Sequence, residues 1–161
     1  EAVLRLTNDH PEWKDRLGLV LVGKDITPTS YQDIPLEVYP LNYIAEEKQL
    51  VDIYNAVDLF VIPSLQDNLP NTIVEAMACG IPCIGFNVGG IPEMIDHLHN
   101  GYVAEYKNVG DFANGIHWLL TEGEYDILSR EAARKAANTY GESSVATKYI
   151  SIYNQMTGKN E

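Results

Sequence analysis

The stretch that decides the fold is PSLQDNLPNTIVEAMACGIPCIGFNVGGIPE, residues 63–93. It begins where an apolar run ends, continues through a polar loop that contains Asp67, and enters a segment with helical spacing that contains Glu75. A second apolar run follows and ends in Gly89 and Gly90. This order predicts a strand, a loop, a helix and a second strand, with one carboxylate on each side of the helix start.

Unbroken apolar runs, rich in β-branched and aromatic residues, predict the strands of the domain. Runs of this kind are typical of parallel strands that are covered on both faces. They lie at residues 17–23, 36–44, 58–64, 81–87 and 101–106.

Apolar residues at helical spacing lie before, between and after these runs. They are Val3, Leu4 and Leu6; Leu50, Ile53, Tyr54 and Val57; Phe112, Ile116, Leu119 and Leu120; Tyr125, Leu128, Ala132 and Ala136; and Val145, Tyr149, Ile152 and Met156. The alternation of strand and helix predicts right-handed βαβ crossovers in an α/β domain with a Rossmann-like, doubly wound parallel sheet. The last two helices follow without a strand, so they cover a sheet face or reach toward another domain.

The chain has 161 residues, 45% of them hydrophobic, which fits one domain with one sizeable core. The formal net charge of −12 disfavours binding to nucleic acids, whose phosphate backbones are recognised mainly by basic residues. No apolar run approaches the roughly 20 residues of a membrane span, and no signal-peptide pattern opens the chain. We therefore expect a single cytoplasmic domain over residues 1–161.

Four residues that could bind metals have simpler interpretations. Cys79 and Cys83 have no second cysteine pair to complete a metal site, and we expect two small, buried, reduced thiols. His97 and His99 precede an Asn-Gly turn, where a solvated loop is expected.

The first acid and the helix start lie where open parallel sheets bind ligands, outside the carboxyl ends of the strands. The Leu69–Thr72 segment predicts a helix start with free amides for an anion. Glu75, one turn into the helix, could accept hydrogen bonds from vicinal hydroxyls such as those of a ribose, and Asp67 could reach a second polar group.

A structural interpretation of the same residues stays open. Asp67 is then an ordinary loop acid, Asn71 or Thr72 caps the helix, and Glu75 adds favourable charge near its start. Gly89 and Gly90 likewise either let a backbone approach a ligand or form the turn before a short helix.

The sequence from DLFVIPS to GYVAEY, residues 58–106, resembles the donor-binding half of a retaining glycosyltransferase of the two-domain GT-B type, in the large group four family. The resemblance extends over residues 17–120, and its specific part is an acid, seven residues, Glu75 and then AMACGIP. It implies that residues 1–161 form one nucleotide-sugar-binding domain. It also implies that a central first strand and an acceptor-binding N-terminal domain would precede Glu1, so that the sheet shows a gap or a rearrangement.

By this resemblance, Glu75 binds the ribose hydroxyls of a nucleotide-diphosphate sugar. Asp67 is the catalytic residue, which orients the donor sugar or stabilises positive charge at its anomeric carbon. Further positions are expected to contact the donor, through the helix start or beside the base. They are Asn68, Leu69, Pro70, Asn71, Thr72 and Ile44.

The implied function is transfer of a hexose or related sugar from a nucleotide-sugar to an acceptor glycan or lipid-linked glycan, with retention of configuration, as in polysaccharide biosynthesis. No metal or other cofactor is expected. The acceptor glycan would be bound by the N-terminal domain, and any peripheral association with the inner face of a membrane would come from parts outside these residues. The chain alone is therefore expected to turn over poorly.

The chain departs from the family pattern at three points. Asp67 stands where the family usually has Glu, Asn68 begins a stretch that is often Gly-Phe-Gly-like, and Asn42 stands where a glycine commonly ends the strand. These three departures bear on the identity of the sugar more than on nucleotide binding. A larger absence is the basic pair that clamps the diphosphate in the family, which would precede Glu1.

Alternative functions stay open at this point. Another GT-B enzyme, such as a sugar-nucleotide epimerase, would share this half of the site. A flavodoxin-like signalling module would need clustered acids after an early strand and an Asp at the end of a middle strand, but Lys24-Asp25 and Ser64 occupy those places. A nicotinamide-binding domain is disfavoured, because no G-x-G-x-x-G follows a strand.

Overall fold

The computed structural model describes residues 1–158, and the last three residues of the predicted domain lie outside this part. The strands fall inside the predicted apolar runs, each shorter than its run. They are β1 (Gly18–Val22), β2 (Glu37–Leu41), β3 (Phe60–Ile62), β4 (Cys83–Phe86) and β5 (Gly101–Ala104).

Helices precede, separate and follow the strands as the apolar spacing predicts. They are α1 (Ala2–Asp9), α2 (Glu47–Asn55), α3 (Asn71–Ala78), α4 (Ile91–Met94), α5 (Val109–Thr121), α6 (Tyr125–Lys135) and α7 (Glu142–Thr157). Short 3₁₀ helices lie at Pro11–Asp15 and Pro28–Ser30, and a π-helical turn at Ala136–Tyr140 continues α6. The α/β class and the flanking helices are confirmed.

All strand pairs are parallel, but they form two groups. In one, β1 pairs with β2, with Gly18 opposite Glu37. In the other, the order is β3-β4-β5, with Cys83 opposite both Phe60 and Gly101. Within the described residues, β1 and β3 are not hydrogen-bonded to each other. The sheet of the described chain is therefore divided into two groups of strands, and the prediction that a central strand precedes Glu1 stays a prediction.

The two groups of strands differ in burial. Every residue of β4 is buried, whereas β1 and β2 contain only half-buried and exposed residues. The prediction that all strands are covered on both faces is therefore wrong for β1 and β2. The physical reason is that these two strands contact mainly each other, while β4 has a strand on each side and helices packed against it.

The core has one cluster of buried side chains on each face of β4. On one face, Cys83 packs with Ile73 and Met77 of α3 and with residues of α4 and α6. On the other face, Ile84 and Phe86 pack with residues of α1 and α5, including Phe112 at a ring-centroid distance of 4.6 Å from Phe86. Both clusters fix the end of β4, where the chain turns toward the candidate site.

Helix α7 is the one α-helix within residues 1–158 that has no buried residue. Its contacts lie mainly with the π-helical turn that precedes it. Of the two roles expected for this helix, covering a sheet face is therefore wrong for α7, and reaching toward another domain stays a prediction. Among residues 1–158, no helix combines the length and the apolar character needed to cross a membrane.

Candidate functional site

The Asp67 loop, residues 63–70, connects the carboxyl end of β3 to the start of α3. Pro70 is buried, with φ −67°, and is the N-cap residue of α3, which begins at Asn71. Proline has no side-chain acceptor, and no side-chain hydrogen bond caps this helix. The alternative that Asn71 or Thr72 caps α3 is therefore wrong, and the start of the helix offers its first amides without a capping side chain.

The first acid and its neighbours differ in exposure. Asp67 is half-buried, whereas Asn68 and Leu69 are exposed, Leu69 by 49%. Farther along, Asn71 and Thr72 in the first turn of α3 are exposed as well. A ligand at this end of the sheet could therefore reach the exposed residues on both sides of Pro70, whereas Pro70 itself is buried in the domain.

Two glycines after β4 let the Asp67 loop approach closely. A Cβ atom at Gly89 would lie 1.6 Å from the carbonyl oxygen of Asp67, and one at Gly90 would lie 2.0 Å from that of Asn68. Gly89 also has a φ of +56°, a left-handed conformation that favours glycine. The glycine pair thus forms the turn before α4, and the backbone that it allows to approach is that of residues 67 and 68.

The same loop is also held by a residue that follows β5. The hydroxyl of Tyr106, two residues beyond that strand, donates a hydrogen bond of 3.2 Å to the carbonyl oxygen of Leu65. The loop is therefore held by the segments that follow β4 and β5, which fixes the backbone from which the Asp67 side chain extends.

Glu75 lies in the second turn of α3, and its side chain is exposed. The hydroxyl of Tyr54, in α2, lies 3.1 Å from Glu75 Oε2 and 3.4 Å from the carbonyl oxygen of Thr72. Burial, and then the Glu75 carboxylate, raise the pKa of the Tyr54 phenol well above its usual value. Tyr54 is therefore a hydrogen-bond donor at neutral pH, and Glu75 accepts through one oxygen.

Ile44 belongs to the loop between β2 and α2. It is half-buried, and Asn42, directly after β2, is exposed. The loop follows the carboxyl end of its strand, as the Asp67 loop does. The prediction of a base near Ile44 stays a prediction.

A cavity of about 370 Å³ opens beside the Asp67 loop, at the carboxyl ends of β3 and β4. Its lining is mostly apolar, and neither Asp67 nor Glu75 belongs to it. The lining residues are Glu1, Ala2, Pro63, Leu65, Phe86, Lys107, Val109 and Phe112. Leu65 belongs both to this cavity and to the Asp67 loop, so the two features are neighbours.

The cysteines and histidines take structural positions. Cys79 is half-buried and Cys83 is buried, both as free thiols, and burial raises the pKa of each. His97 is exposed, and its Nδ1 accepts a hydrogen bond of 3.1 Å from the Val103 amide. The part of the chain that the structure describes contains no group of three or more His, Cys, Asp or Glu side chains suited to a metal ion.

Two features of the site escape inspection of the sequence. Tyr54 fits the apolar face of α2 and therefore looks like an ordinary core residue. Tyr106 falls in the run predicted to be the last strand, and its partner Leu65 is 41 residues away. A polar end on an aromatic residue at a predicted core position is the one signal in the sequence for Tyr54.

The sequence is similar to that of known sugar-transferring enzymes. It is 28% identical over 144 residues to the Campylobacter jejuni N,N'-diacetylbacillosaminyl-diphospho-undecaprenol alpha-1,3-N-acetylgalactosaminyltransferase, covering 89% of this chain and 38% of that protein. It is 29% identical over 154 residues to the Bacillus anthracis N-acetyl-alpha-D-glucosaminyl L-malate synthase, covering 95% of this chain and 37% of that protein. The chain thus spans well under half the length of either relative.

The fold matches that of solved GT-B proteins. The Anabaena protein Alr3699/HepE, whose crystal structure contains UDP, superposes with a TM-score of 0.72 at 21% identity, over 93% of this chain and 44% of that one. At this identity the similarity shows the fold, a Rossmann-like GT-B domain.

The family model described as "Glycosyl transferases group 1" matches residues 1–122, about three quarters of the chain. The match includes the Asp67 loop, Glu75 and the glycine pair. The chain therefore belongs to the group 1 glycosyl transferase family.

Proposed function

We propose that the chain is the donor-binding domain of a retaining glycosyltransferase, which moves a sugar from a nucleotide-sugar to an acceptor glycan or lipid-linked glycan. The observation that carries the proposal is the placement of two acids around one helix start. The half-buried Asp67 precedes the uncapped start of α3, and the exposed Glu75 follows it by one turn.

Each part of this arrangement suits one part of a nucleotide-sugar. The Glu75 carboxylate accepts hydrogen bonds from the two ribose hydroxyls. The amides at the start of α3 bind the diphosphate, because they are free and carry the positive end of the helix dipole. Asp67 lies next to the sugar, where a carboxylate stabilises the positive charge that develops at the anomeric carbon during transfer.

The properties of similar proteins support this proposal. The name of the Campylobacter relative describes transfer of N-acetylgalactosamine to N,N'-diacetylbacillosaminyl-diphospho-undecaprenol, a lipid-linked sugar. The Anabaena neighbour contains UDP in its crystal structure. By analogy, we propose a uridine nucleotide-sugar as donor and a lipid-linked glycan as acceptor, with the protein in the cytoplasm at the inner face of a membrane.

The proposal assigns binding of the acceptor to a part of the enzyme outside these 161 residues. Efficient turnover then needs that part, and the 161-residue chain should show donor binding with little transfer. A robust transferase rate from this chain alone would contradict this division of labour.

Calorimetric titration tests the donor site directly. UDP, GDP and their sugar conjugates are titrated into the wild-type chain and into Glu75→Ala, with and without EDTA. Because Glu75 is expected to hold the ribose, the variant should lose about 10-fold or more in affinity for every nucleotide that binds. EDTA should leave binding unchanged, since no metal takes part in the proposal.

Glu142→Ala is the control, because Glu142 is also an exposed glutamate near the start of a helix, but lies in α7, far from Glu75 in the chain. It should bind nucleotide as the wild type does. The absence of binding at 10 mM nucleotide (about 100 times a typical affinity for such ligands), or an equal loss in both variants, would contradict the donor site.

A further inference from the structure

Tyr54 connects the core of the domain to the candidate site. It is the buried residue of α2, with 6% of its surface exposed, and its ring packs edge-on against Phe60 of β3 at a centroid distance of 5.9 Å. Its hydroxyl reaches Glu75 in α3. One side chain thus joins three consecutive elements of the fold, and its polar end meets the acid proposed to hold the ribose.

We propose that Tyr54 is a positioning residue, which fixes the Glu75 carboxylate through Oε2 and leaves Oε1 to accept hydrogen bonds from the vicinal hydroxyls of the donor ribose. This inference rests on the ribose-binding role proposed for Glu75. It adds a specific claim, that recognition of the diol depends on a residue that does not touch the nucleotide.

The direction of the hydrogen bond follows from the chemistry of the two groups. An ionised carboxylate has no proton to donate, so the phenol donates. Two acceptors are within reach, but the carboxylate at 3.1 Å is both closer and more strongly accepting than the Thr72 carbonyl oxygen at 3.4 Å. The Tyr54 phenol therefore donates its hydrogen bond to Glu75 Oε2.

The Tyr54 side chain is held rigidly by the core, whereas the Glu75 side chain alone would be free to move. The Tyr54 ring belongs to the buried cluster that includes Ile62 and Ile73, so its hydroxyl is fixed by core packing. Glu75 is exposed, and a free glutamate side chain at such a position samples several rotamers. Ordering it when a ligand binds would reduce affinity about three- to tenfold, and Tyr54 removes that cost in advance.

The test compares a ligand that has the diol with one that lacks it. UDP and 2′,3′-dideoxyuridine diphosphate are titrated by calorimetry into the wild-type chain and into Tyr54→Phe, which keeps the ring and removes the hydroxyl. We expect the variant to bind UDP about three- to tenfold more weakly, while its affinity for the dideoxy compound stays the same. A residue that only stabilises the core would change both affinities together or neither.

Tyr102→Phe is the matched control. It removes the same kind of bond, a phenol hydroxyl donating at 2.9 Å to Asp111 Oδ1, between β5 and α5 rather than at Glu75. Both affinities should match the wild type. Circular dichroism and melting temperature of each variant show whether the fold is intact.

A double-mutant cycle separates the two claims. In the Glu75→Ala background, Tyr54→Phe should have no further effect on UDP affinity, because the carboxylate that it positions is gone. If Glu75→Ala leaves the preference for UDP over the dideoxy compound unchanged, the ribose-binding role itself is wrong, and this inference falls with it. If Glu75→Ala removes the preference and Tyr54→Phe does not reduce it, only the positioning role of Tyr54 is wrong.

Discussion

Gly90 shows how a single residue can control the position of the first acid. Its φ of −89° suits any amino acid, so alanine would cause no backbone strain there. The obstacle is contact, because the added methyl group would lie 2.0 Å from the Asn68 carbonyl oxygen and 2.9 Å from the Leu69 side chain. We expect Gly90→Ala to displace the Asp67 loop and to weaken binding of a nucleotide-sugar by 10-fold or more, measured by calorimetry (about 1.4 kcal/mol).

Gly110→Ala is the control for that experiment. Gly110 lies in the first turn of α5, where the nearest atom to an added Cβ is Asn108 Oδ1 at an ordinary 3.4 Å. Alanine should stabilise the helix by up to about 1 kcal/mol and leave binding unchanged. Wild-type affinity in Gly90→Ala would show that the contact with Asn68 does not fix the loop.

Among single residues, the sequence predicts the two acids better than it predicts the residues that hold them in position. Asp67 and Glu75 are recognisable because their types and spacing around a helix start point to one chemistry. The contact between Gly90 and Asn68 joins residues 22 positions apart, and no local pattern specifies it. Tyr54 is hidden for a related reason, since a tyrosine on an apolar helix face is predicted to be core, which it also is.

At the scale of elements, a network of hydrogen bonds joins β5 to α5. Asp111, in the first turn of α5, accepts from the Tyr102 hydroxyl through Oδ1 at 2.9 Å and from the Glu105 amide through Oδ2 at 2.6 Å. Its own amide donates to the side chain of Asn108, the N-cap residue. One carboxylate therefore fixes the strand, the turn and the helix relative to one another.

This network makes the stability of the domain sensitive to alkaline pH. Burial, and then the hydrogen bond to Asp111, raise the pKa of Tyr102 to about 12. Below pH about 10, folded and unfolded chains both keep the phenol proton. Between about pH 10 and 12 the unfolded chain releases it while the folded chain retains it, so the free energy of unfolding falls as pH rises. In Tyr102→Phe this decline should be shallower, as measured by urea denaturation at several pH values.

The exposed Tyr153 offers the comparison variant. Tyr153 lies on α7 with 62% of its surface exposed, so Tyr153→Phe should reproduce the wild-type decline. At pH 8, Tyr102→Phe should also cost about 1 kcal/mol in the free energy of unfolding, because the bond to Asp111 is lost. An identical alkaline decline in all three proteins would show that Tyr102 titrates alike in the folded and unfolded states.

The elements themselves are well predicted, because hydrophobic periodicity is local. All five apolar runs contain a strand, and the helical spacings around them contain helices. Burial is a property of the assembled fold, and here the prediction partly fails. The run at 17–23 looks as apolar as the run at 81–87, yet β1 has no buried residue and β4 has no exposed one. The difference lies in the neighbours of each strand, which a run of residues does not specify.

At the scale of the whole molecule, the divided sheet predicts uneven stability. The β1–β2 pair has few contacts with the rest of the described chain, whereas β4 lies in the centre of the core. Amide hydrogens of β1 and β2, such as that of Val20, should exchange with solvent through local opening, much faster than that of Ile84 in β4, which should need global unfolding. Exchange followed by NMR measures both, and equal protection would mean that the two groups of strands unfold as one unit.

Removal of helix α7 tests whether an exposed helix contributes to the free energy of unfolding of the domain. Its large apolar residues are exposed, including Ile150 at 60%, Tyr153 at 62% and Met156 at 78%, so they contribute little apolar burial to this domain. A chain that ends at Gly141 should therefore lose less than about 1 kcal/mol in the free energy of unfolding. By contrast, Met77→Ala, at a fully buried site on the core-facing side of α3, should cost about 2–5 kcal/mol. Urea denaturation followed by circular dichroism compares the two, and a truncation that costs as much as Met77→Ala would show that α7 stabilises the domain despite its exposure.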